Sequence, residues 1–271
     1  MGWLQRSASD TQVTHRDRLW LYVVAAIIML LLVIPTFIVI PMSFSDSQYL
    51  EFPPNHWSVR WYDEYFGSSK WMRATVTSFQ IGVLTMLVAT PLGTAAAYAL
   101  FVSGHRAARA VFMFLITPMI VPVILIAIGA FYAFGRVGLN NTITGLVLAH
   151  TVLAAPLVMI VITAALRSYD LNQELVARSL GASRFKAFFL ITLPQIKFSV
   201  VTAALLSFLT SFDEVIIAIF VSGGVNATLT KHMFAALRDY IDPTIAAIST
   251  IMVLVSSVLL LATQFIGNRQ K

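Results

Sequence analysis

Two adjacent carboxylates lie inside a long apolar stretch of this 271-residue chain. Asp213 and Glu214 have hydrophobic residues on both sides, whereas every other Asp and Glu falls in a hydrophilic segment. A charge near the centre of a bilayer costs at least about 2.5–3.5 kcal/mol, so such groups face water or a partner. Carboxylates beside a water-filled path attract ammonium groups and repel anions. With Thr210 one helical turn earlier, the pair predicts a binding site for a small cationic amine.

The same two carboxylates have structural alternatives. Neighbouring residues on a helix point about 100° apart, so at most one of Asp213 and Glu214 leads into a narrow cavity. One of them could instead pair with a basic residue of a neighbouring helix, or cap a broken helix. The sequence leaves these alternatives open.

A hydrophilic segment at residues 167–197 has the pattern of two short helices joined by a glycine. Asp or Asn caps predict a first helix beginning near Gln173, and Gly181 ends it because glycine readily adopts a left-handed conformation. A second helix is predicted to start at Ser183, and Pro194 to interrupt the path into the next apolar stretch. A protruding helix pair of this kind suits docking into a groove on a partner protein.

Several other chemistries lack the residues they need. The chain has no cysteine and no G-x-x-x-x-G-K-[ST] loop, so it has neither thiolate chemistry nor that route to ATP binding. His150 could line a path or bond to a backbone carbonyl. The five histidines form no zinc-binding H-E-x-x-H pattern: His15, His56, His105, His150 and His232.

The elements that must position these residues are membrane helices. Hydrophobic residues make up 58% of the chain and charged residues 11%, which excludes an ordinary soluble domain. Stretches of about 20 uncharged residues span a bilayer core. Six are predicted, at residues 19–42, 74–102, 110–134, 142–166, 198–221 and 244–266. Pro118 and Pro122 can kink the third span, and the small residues Gly93 and Ala97 favour close helix packing in the second.

The positions of the basic residues predict an orientation. Twelve of the 18 Lys and Arg residues fall in the hydrophilic segments on one side of the six spans, which is the side that contains both termini. Because basic residues are enriched in cytoplasmic loops, both termini are predicted to lie in the cytoplasm. The basic residues therefore reflect topology and give no support to nucleic-acid binding. The predicted organisation is a cytoplasmic segment at 1–18, a six-helix membrane domain at 19–266 that includes the cytoplasmic loop 167–197, and a cytoplasmic tail at 267–271. On the opposite side, residues 57–66 could form a short interfacial helix.

The segment ELVARSLGASRFKAFFLITLP resembles the EAA motif of permease subunits in ATP-binding cassette (ABC) importers. In both, nine residues separate the glycine, here Gly181, from an I-x-L-P ending. The usual Glu-Ala-Ala falls on Leu-Val-Ala here, with Glu174 one position upstream. The resemblance implies an all-α fold of the type I importer permeases. It also implies that the loop is a coupling helix that docks on an ATPase, with contacts at Glu174, Ala177, Gly181 and Ala182.

The stretches SFDEVIIAIFVSG and SVRWYDEYF are similar to those of spermidine and putrescine permeases, and permeases for opines and other amino-acid-like solutes share them. The resemblance implies a multi-pass protein of the bacterial inner membrane. Its implied partners are two cytoplasmic ATP-binding subunits, a second homologous permease subunit, an extracytoplasmic substrate-binding protein and membrane lipid. ATP and Mg²⁺ belong to the ATPase subunits, and no cofactor is expected on this chain.

Two classes of protein compete with this interpretation. A secondary transporter or channel for a small cation could use Asp213 and Glu214, but it has no need of the helix–glycine–helix loop, and the chain has no inverted repeat. An intramembrane enzyme would need a metal site or a nucleophile with its base, and neither pattern is present. We therefore expect a transport subunit without catalytic activity of its own.

Overall fold

A computed structural model describes residues 14–267, with side chains described as far as Leu261. These residues form α-helices joined by loops and short 3₁₀ or π turns. The α-helices are α1 (Leu19–Met42), α2 (Arg60–Gly67), α3 (Ser69–Ser103), α4 (Ala108–Ile116), α5 (Val123–Val137), α6 (Ile143–Arg167), α7 (Asn172–Ser179), α8 (Arg184–Ala187), α9 (Leu193–Phe212), α10 (Ile216–Val221), α11 (Leu229–Asp239) and α12 (Thr244–Gly267).

The predicted spans correspond to helices long and apolar enough to cross a membrane. Within residues 14–267, five such helices are present, and a bent pair brings the number to six if it is one span. That pair is Ala108–Met119 and Val123–Val137, which meet at 91°. The predicted third span is therefore not one straight helix. Pro122 immediately precedes α5, and a proline cannot continue the helical hydrogen-bond ladder.

The chain divides into two compact units, the first comprising residues up to Glu64 together with Ile241–Val253. In this unit α1 has no buried residue. The loop after α1 folds back on itself: the Ser58 amide donates to the Phe44 carbonyl oxygen at 2.7 Å, and the hydroxyls of Ser43 and Tyr62 lie 2.7 Å apart. The short helix predicted within residues 57–66 is present as α2.

The second unit, which contains Tyr65–Tyr240, has its core where α3, α6 and α9 pack together. Ala97 of α3 lies in a buried cluster with Val158 and Ile162 of α6 and Ala203 of α9. Gly93 faces Val158, and a Cβ atom built on this glycine would lie 2.7 Å from the Val158 Cβ. The close packing expected from the small residues of α3 is therefore confirmed.

The loop between α6 and α9 contains the predicted helix pair. Helix α7 spans Asn172–Ser179, and α8 begins after Ser183, whose hydroxyl accepts a hydrogen bond from the Lys186 amide. Pro194 does not interrupt the path into α9. It occupies the first turn of α9, directly after a π-helical turn at Phe188–Thr192. Residues Arg184–Phe212 form one helical run, and a π-type adjustment is one way in which membrane helices accommodate a proline.

Candidate functional site

The predicted fifth span is broken at its two carboxylates. Helix α9 ends at Phe212, residues 213–215 are not helical, and the six-residue helix α10 follows. The expectation of one continuous helix over residues 198–221 is wrong. The break places Asp213 and Glu214 in a short connection between two helices, where their side chains and backbone groups are not confined to a helical surface.

Glu214 caps α10, which is one of the alternatives left open by the sequence. Its Oε1 accepts a hydrogen bond of 2.9 Å from the Ile217 amide. A side-chain acceptor at a helix start satisfies an amide that has no helical partner, and a negative charge there is favoured by the helix dipole. The Glu214 carbonyl accepts from Thr230 Oγ1 at 2.8 Å, which attaches the connection to α11. Half-buried Thr210 donates to the Leu206 carbonyl of its own helix.

Asp213 differs from its neighbour. Its side chain is exposed, and among the described residues its carboxylate has neither a hydrogen bond nor an ion pair. Its backbone amide completes α9 by donating to the Leu209 carbonyl at 3.0 Å. Of the two acidic residues, Asp213 is therefore the one whose carboxylate is available to a ligand.

The other end of α10 is capped by a cation that the sequence did not single out. The Nζ of Lys231 donates to the Ile219 carbonyl at 3.1 Å and to the Ser222 carbonyl. A positive charge at a helix C-terminus complements the helix dipole. Burial lowers the pKa of Lys231, so these carbonyl contacts hold an ammonium group that is partly removed from water. In the sequence, Lys231 differs from the other basic residues only in its position after an apolar stretch.

A buried polar chain lies just before the break. His150 Nδ1 lies 2.8 Å from Ser211 Oγ, and Ser211 Oγ lies 3.2 Å from Thr85 Oγ1. The three residues join α6, α9 and α3, and His150 is only 1% exposed. His150 thus bonds to a side chain and not to the backbone carbonyl considered from the sequence. Because Ser211 is two residues from Asp213, this chain fixes the end of α9 that carries the free carboxylate.

In the loop between α6 and α9, three of the residues singled out by motif form one backbone turn. The Gly181 amide donates to the Arg178 carbonyl at 3.0 Å, and the Ala182 amide donates to the Ala177 carbonyl at 3.1 Å. With Gly181 at φ = 93°, this is the Schellman ending of a helix. Ala177, Gly181 and Ala182 therefore set the angle between α7 and α8.

Glu174, the fourth of these residues, points into its own chain. It is 3% exposed, accepts a hydrogen bond of 2.6 Å from the Tyr98 hydroxyl at Oε1, and accepts one of 3.0 Å from Thr192 at Oε2. Thr192 Oγ1 also lies 3.1 Å from the Tyr169 hydroxyl. Burial raises the pKa of the Tyr169 phenol. The carboxylate thus ties α7 to α3 and to the π turn.

Helix α7 and the residue that follows it expose three apolar side chains among polar ones. Leu180 is 84% exposed, Val176 60% and Leu175 54%. Leu175 and Val176 occupy positions where the motif usually has Glu and Ala, which in the sequence counts as a departure from the family pattern. The structure shows that the side chains at both positions are exposed.

The family of the chain follows from comparison with known proteins. Residues 89–271 match the model of the family described as binding-protein-dependent transport system inner membrane component. The chain belongs to this family of permeases. The match includes α6, the whole loop, the broken fifth span and α11.

Two relatives of this permease extend the similarity to most of the chain. It is 32% identical over 241 residues to the putrescine transport system permease protein PotI of Escherichia coli K12, covering 86% of this chain and 85% of the relative. It is 30% identical over 239 residues to the spermidine/putrescine transport system permease protein PotC of Haemophilus influenzae, covering 88% and 92%.

Solved structures show that the permease has the fold of ABC importers. A chain of a bacterial ABC transporter involved in the import of the acidic polysaccharide alginate superposes with a TM-score of 0.73 at 14% identity, over 96% of this chain and 98% of that one. A chain of the MetNI methionine ABC transporter superposes with a TM-score of 0.55 at 17% identity, over 75% and 99%. The protein is thus an all-α, multi-pass permease of the inner membrane, with a transport role and not a catalytic one.

Proposed function

We propose that this permease carries a small cationic amine of the putrescine or spermidine class into the cell. The observation that carries the proposal is the free, exposed carboxylate of Asp213 at the break in the fifth span. A carboxylate that is not used in folding can attract an ammonium group and repel anions. Similarity to putrescine and spermidine/putrescine permeases over most of the chain supports the same class of solute.

The division of labour between the carboxylates refines the proposal. Glu214 holds the amide of Ile217 and so stabilises α10, whereas Asp213 leads into the path. Lys231 at the far end of α10 is held by carbonyl groups, so its charge is directed at the helix end. The Thr210 hydroxyl already donates its hydrogen to the Leu206 carbonyl. Thr210 can therefore contribute to the path only by accepting a hydrogen bond from the solute.

The loop between α6 and α9 is proposed to couple transport to ATP hydrolysis. The count of basic residues supports a cytoplasmic location for this loop and for both termini. Leu175, Val176 and Leu180 form its docking face, and the turn at Ala177, Gly181 and Ala182 sets the shape of that face. Glu174 contributes by anchoring the loop to α3, so that a push on α7 moves a membrane helix.

The partners follow from this role. Two ATP-binding subunits would close on ATP, with Mg²⁺, and shift the loop of this permease and that of a second, homologous permease subunit. Rocking of the two permeases would then expose the path alternately to each side. An extracytoplasmic binding protein would deliver the amine; the alginate transporter has been solved in complex with an alginate-bound periplasmic protein.

Uptake by whole cells tests the proposal. This chain is coexpressed with the partner subunits of its transporter in a bacterial strain that lacks its own polyamine importers, and entry of radiolabelled putrescine and spermidine is measured. We expect uptake that excess unlabelled diamine abolishes and that excess glutamate leaves unchanged. Uptake of an amino acid or opine in place of either amine would assign the carrier to another solute.

A further inference from the structure

A basic pocket of about 370 Å³ lies where the end of α3, the start of α4 and the end of α6 meet. Its volume is within the range of about 300–1,000 Å³ that small-molecule sites occupy. Two arginines from different helices line it, together with three apolar side chains: Arg109, Arg167, Leu100, Phe101 and Phe112. Neither the carboxylate site nor the exposed residues of α7 belong to this pocket.

The two guanidinium groups at the pocket have no counter-charge. Arg109 and Arg167 are exposed, and within residues 14–261 neither side chain takes part in an ion pair or a hydrogen bond. Residues 103–116, which include the start of α4, contain no Asp or Glu. Two positive charges beside one pocket repel each other, and an anion placed between them turns this repulsion into attraction. The pocket therefore matches an anionic ligand.

The position of Arg109 is unfavourable for its own helix. It is the second residue of α4, and the helix dipole disfavours a positive charge in the first turn. No side chain caps this end, because Ala107 is the N-cap residue, and the first turn contains no acid. Arg167, in contrast, lies in the last turn of α6, where the dipole favours a cation. A bound anion would compensate Arg109, because both the guanidinium and the amides at a helix start donate to anionic oxygens.

Both arginines mark the border of the membrane. Arg109 immediately precedes the uncharged stretch at 110–134, and Arg167 immediately follows the one at 142–166. Phospholipid phosphates lie at this border, and basic pockets between membrane helices bind lipid head groups. The place of the arginines along their helices therefore favours a lipid phosphate.

The helix face that carries Arg109 is apolar beyond it. Phe112 and Leu115 follow at intervals of three residues, so the three side chains lie one after another along α4. Phe112 packs against the buried cluster of α3, α6 and α9, and Leu115 is 37% exposed. A ligand with its phosphate at Arg109 thus meets apolar side chains in the direction of the bilayer interior.

We propose that the pocket binds the head group of an anionic phospholipid. Its phosphate lies between the guanidinium groups of Arg109 and Arg167 and accepts from the amides at the start of α4. Only the glycerophosphate part occupies the pocket, and the acyl chains extend along Phe112 and Leu115 into the bilayer. The bound lipid joins the start of α4 to the end of α6.

Native mass spectrometry of the transporter tests the site. The full chain is purified with the subunits that accompany it, delipidated, and titrated with phosphatidylglycerol or phosphatidylcholine with identical acyl chains. Glycerol 3-phosphate, which has the phosphate without the chains, is a separate titrant. Arg109→Gln and Arg167→Gln each remove one charge, and Arg106→Gln is the matched control because Arg106 does not line the pocket. Thermal unfolding of each protein is measured with and without phosphatidylglycerol.

We expect the parent to bind its first phosphatidylglycerol about tenfold more tightly than phosphatidylcholine, the ratio typical of a hydrogen bond to a charged group. Arg109→Gln and Arg167→Gln should each lose most of this preference, and Arg106→Gln should keep it. Without lipid, Arg109→Gln should unfold at the same temperature as the parent or higher, since it removes a charge that the dipole of α4 disfavours. Phosphatidylglycerol should raise the unfolding midpoint of the parent and leave that of Arg109→Gln unchanged.

Three results would overturn the proposal. The first is equal affinity of the parent for the two lipids, or an unchanged preference in both Arg109→Gln and Arg167→Gln. The second is displacement of phosphatidylglycerol by glycerol 3-phosphate at comparable concentration, because the ligand would then be a soluble phosphate. The third is an Arg109→Gln protein that keeps its lipid and loses a copurifying subunit, because the pocket would then be a protein interface.

Discussion

The Tyr98 hydroxyl lies 2.6 Å from Oε1 of Glu174 and donates a hydrogen bond to it, joining residues 76 positions apart in the chain. Tyr98 belongs to the long membrane helix α3, and Glu174 to the first helix of the loop. A residue whose motif position suggested contact with a partner protein is therefore a link inside the permease. The geometry gives any movement of α7 a direct route to α3.

Removing one side of that link should loosen the loop. Tyr98→Phe leaves Oε1 of Glu174 buried without this donor, which costs about 1–3 kcal/mol. We expect a thermal unfolding midpoint several degrees lower and reduced uptake, both measured on the same preparation. Tyr132→Phe is the matched control, because the Tyr132 ring is 70% exposed and its hydroxyl has no hydrogen bond to a described residue. Equal midpoints for the two variants would contradict a role for the Tyr98 bond.

Gly181 provides a test of the loop turn that depends on conformation alone. Its φ of 93° is strained for residues with a side chain, by about 1–2 kcal/mol, although no atom lies within 4 Å of the position that a Cβ atom would take. Asn tolerates left-handed φ better than β-branched residues do. We therefore expect Gly181→Val to reduce copurification with an ATPase subunit severely, and Gly181→Asn to reduce it mildly.

The control for Gly181 is Gly67→Val, since Gly67 also has open space around it but no positive φ. This variant should copurify as the parent protein does. If Gly181→Val copurifies with the ATPase subunit as well as Gly67→Val does, the shape of the turn does not matter for assembly, and the coupling role of the loop is excluded.

The two carboxylates should give different phenotypes. Asp213→Asn breaks no bond within the described structure, so we expect uptake of labelled putrescine to fall at least tenfold with an unchanged unfolding midpoint. Glu214→Gln keeps an oxygen that can accept from the Ile217 amide, whereas Glu214→Leu loses the cap and about 1 kcal/mol of stability. The midpoint should fall for Glu214→Leu only. Normal uptake by Asp213→Asn would remove this carboxylate from the path.

These results show which features the sequence could and could not predict. The bounds of α1 agree with the predicted first span because a long run of apolar residues has one interpretation in a membrane. The sequence offered the break before α10 only as one of several alternatives, since composition does not reveal that a Glu214 side chain will compete for a backbone amide. The bond between Tyr98 and Glu174 was beyond prediction, because nothing local to either residue indicates a partner so distant in the chain.

The packing of α3 against α6 leads to a last prediction. A Cβ atom at Gly93 would lie 2.7 Å from the Val158 Cβ and 2.9 Å from the Ala155 carbonyl oxygen, so the two helices would have to separate. Overpacking of this kind costs about 1–3 kcal/mol. Gly129→Ala is the matched control, since Gly129 is also within a helix and no atom lies within 4 Å of its Cβ position. Purified in the same detergent, Gly93→Ala should unfold at a clearly lower temperature than the parent, and Gly129→Ala at the same temperature or higher. An unchanged midpoint for Gly93→Ala would mean that α3 and α6 can separate at no cost, and that this glycine does not set their distance.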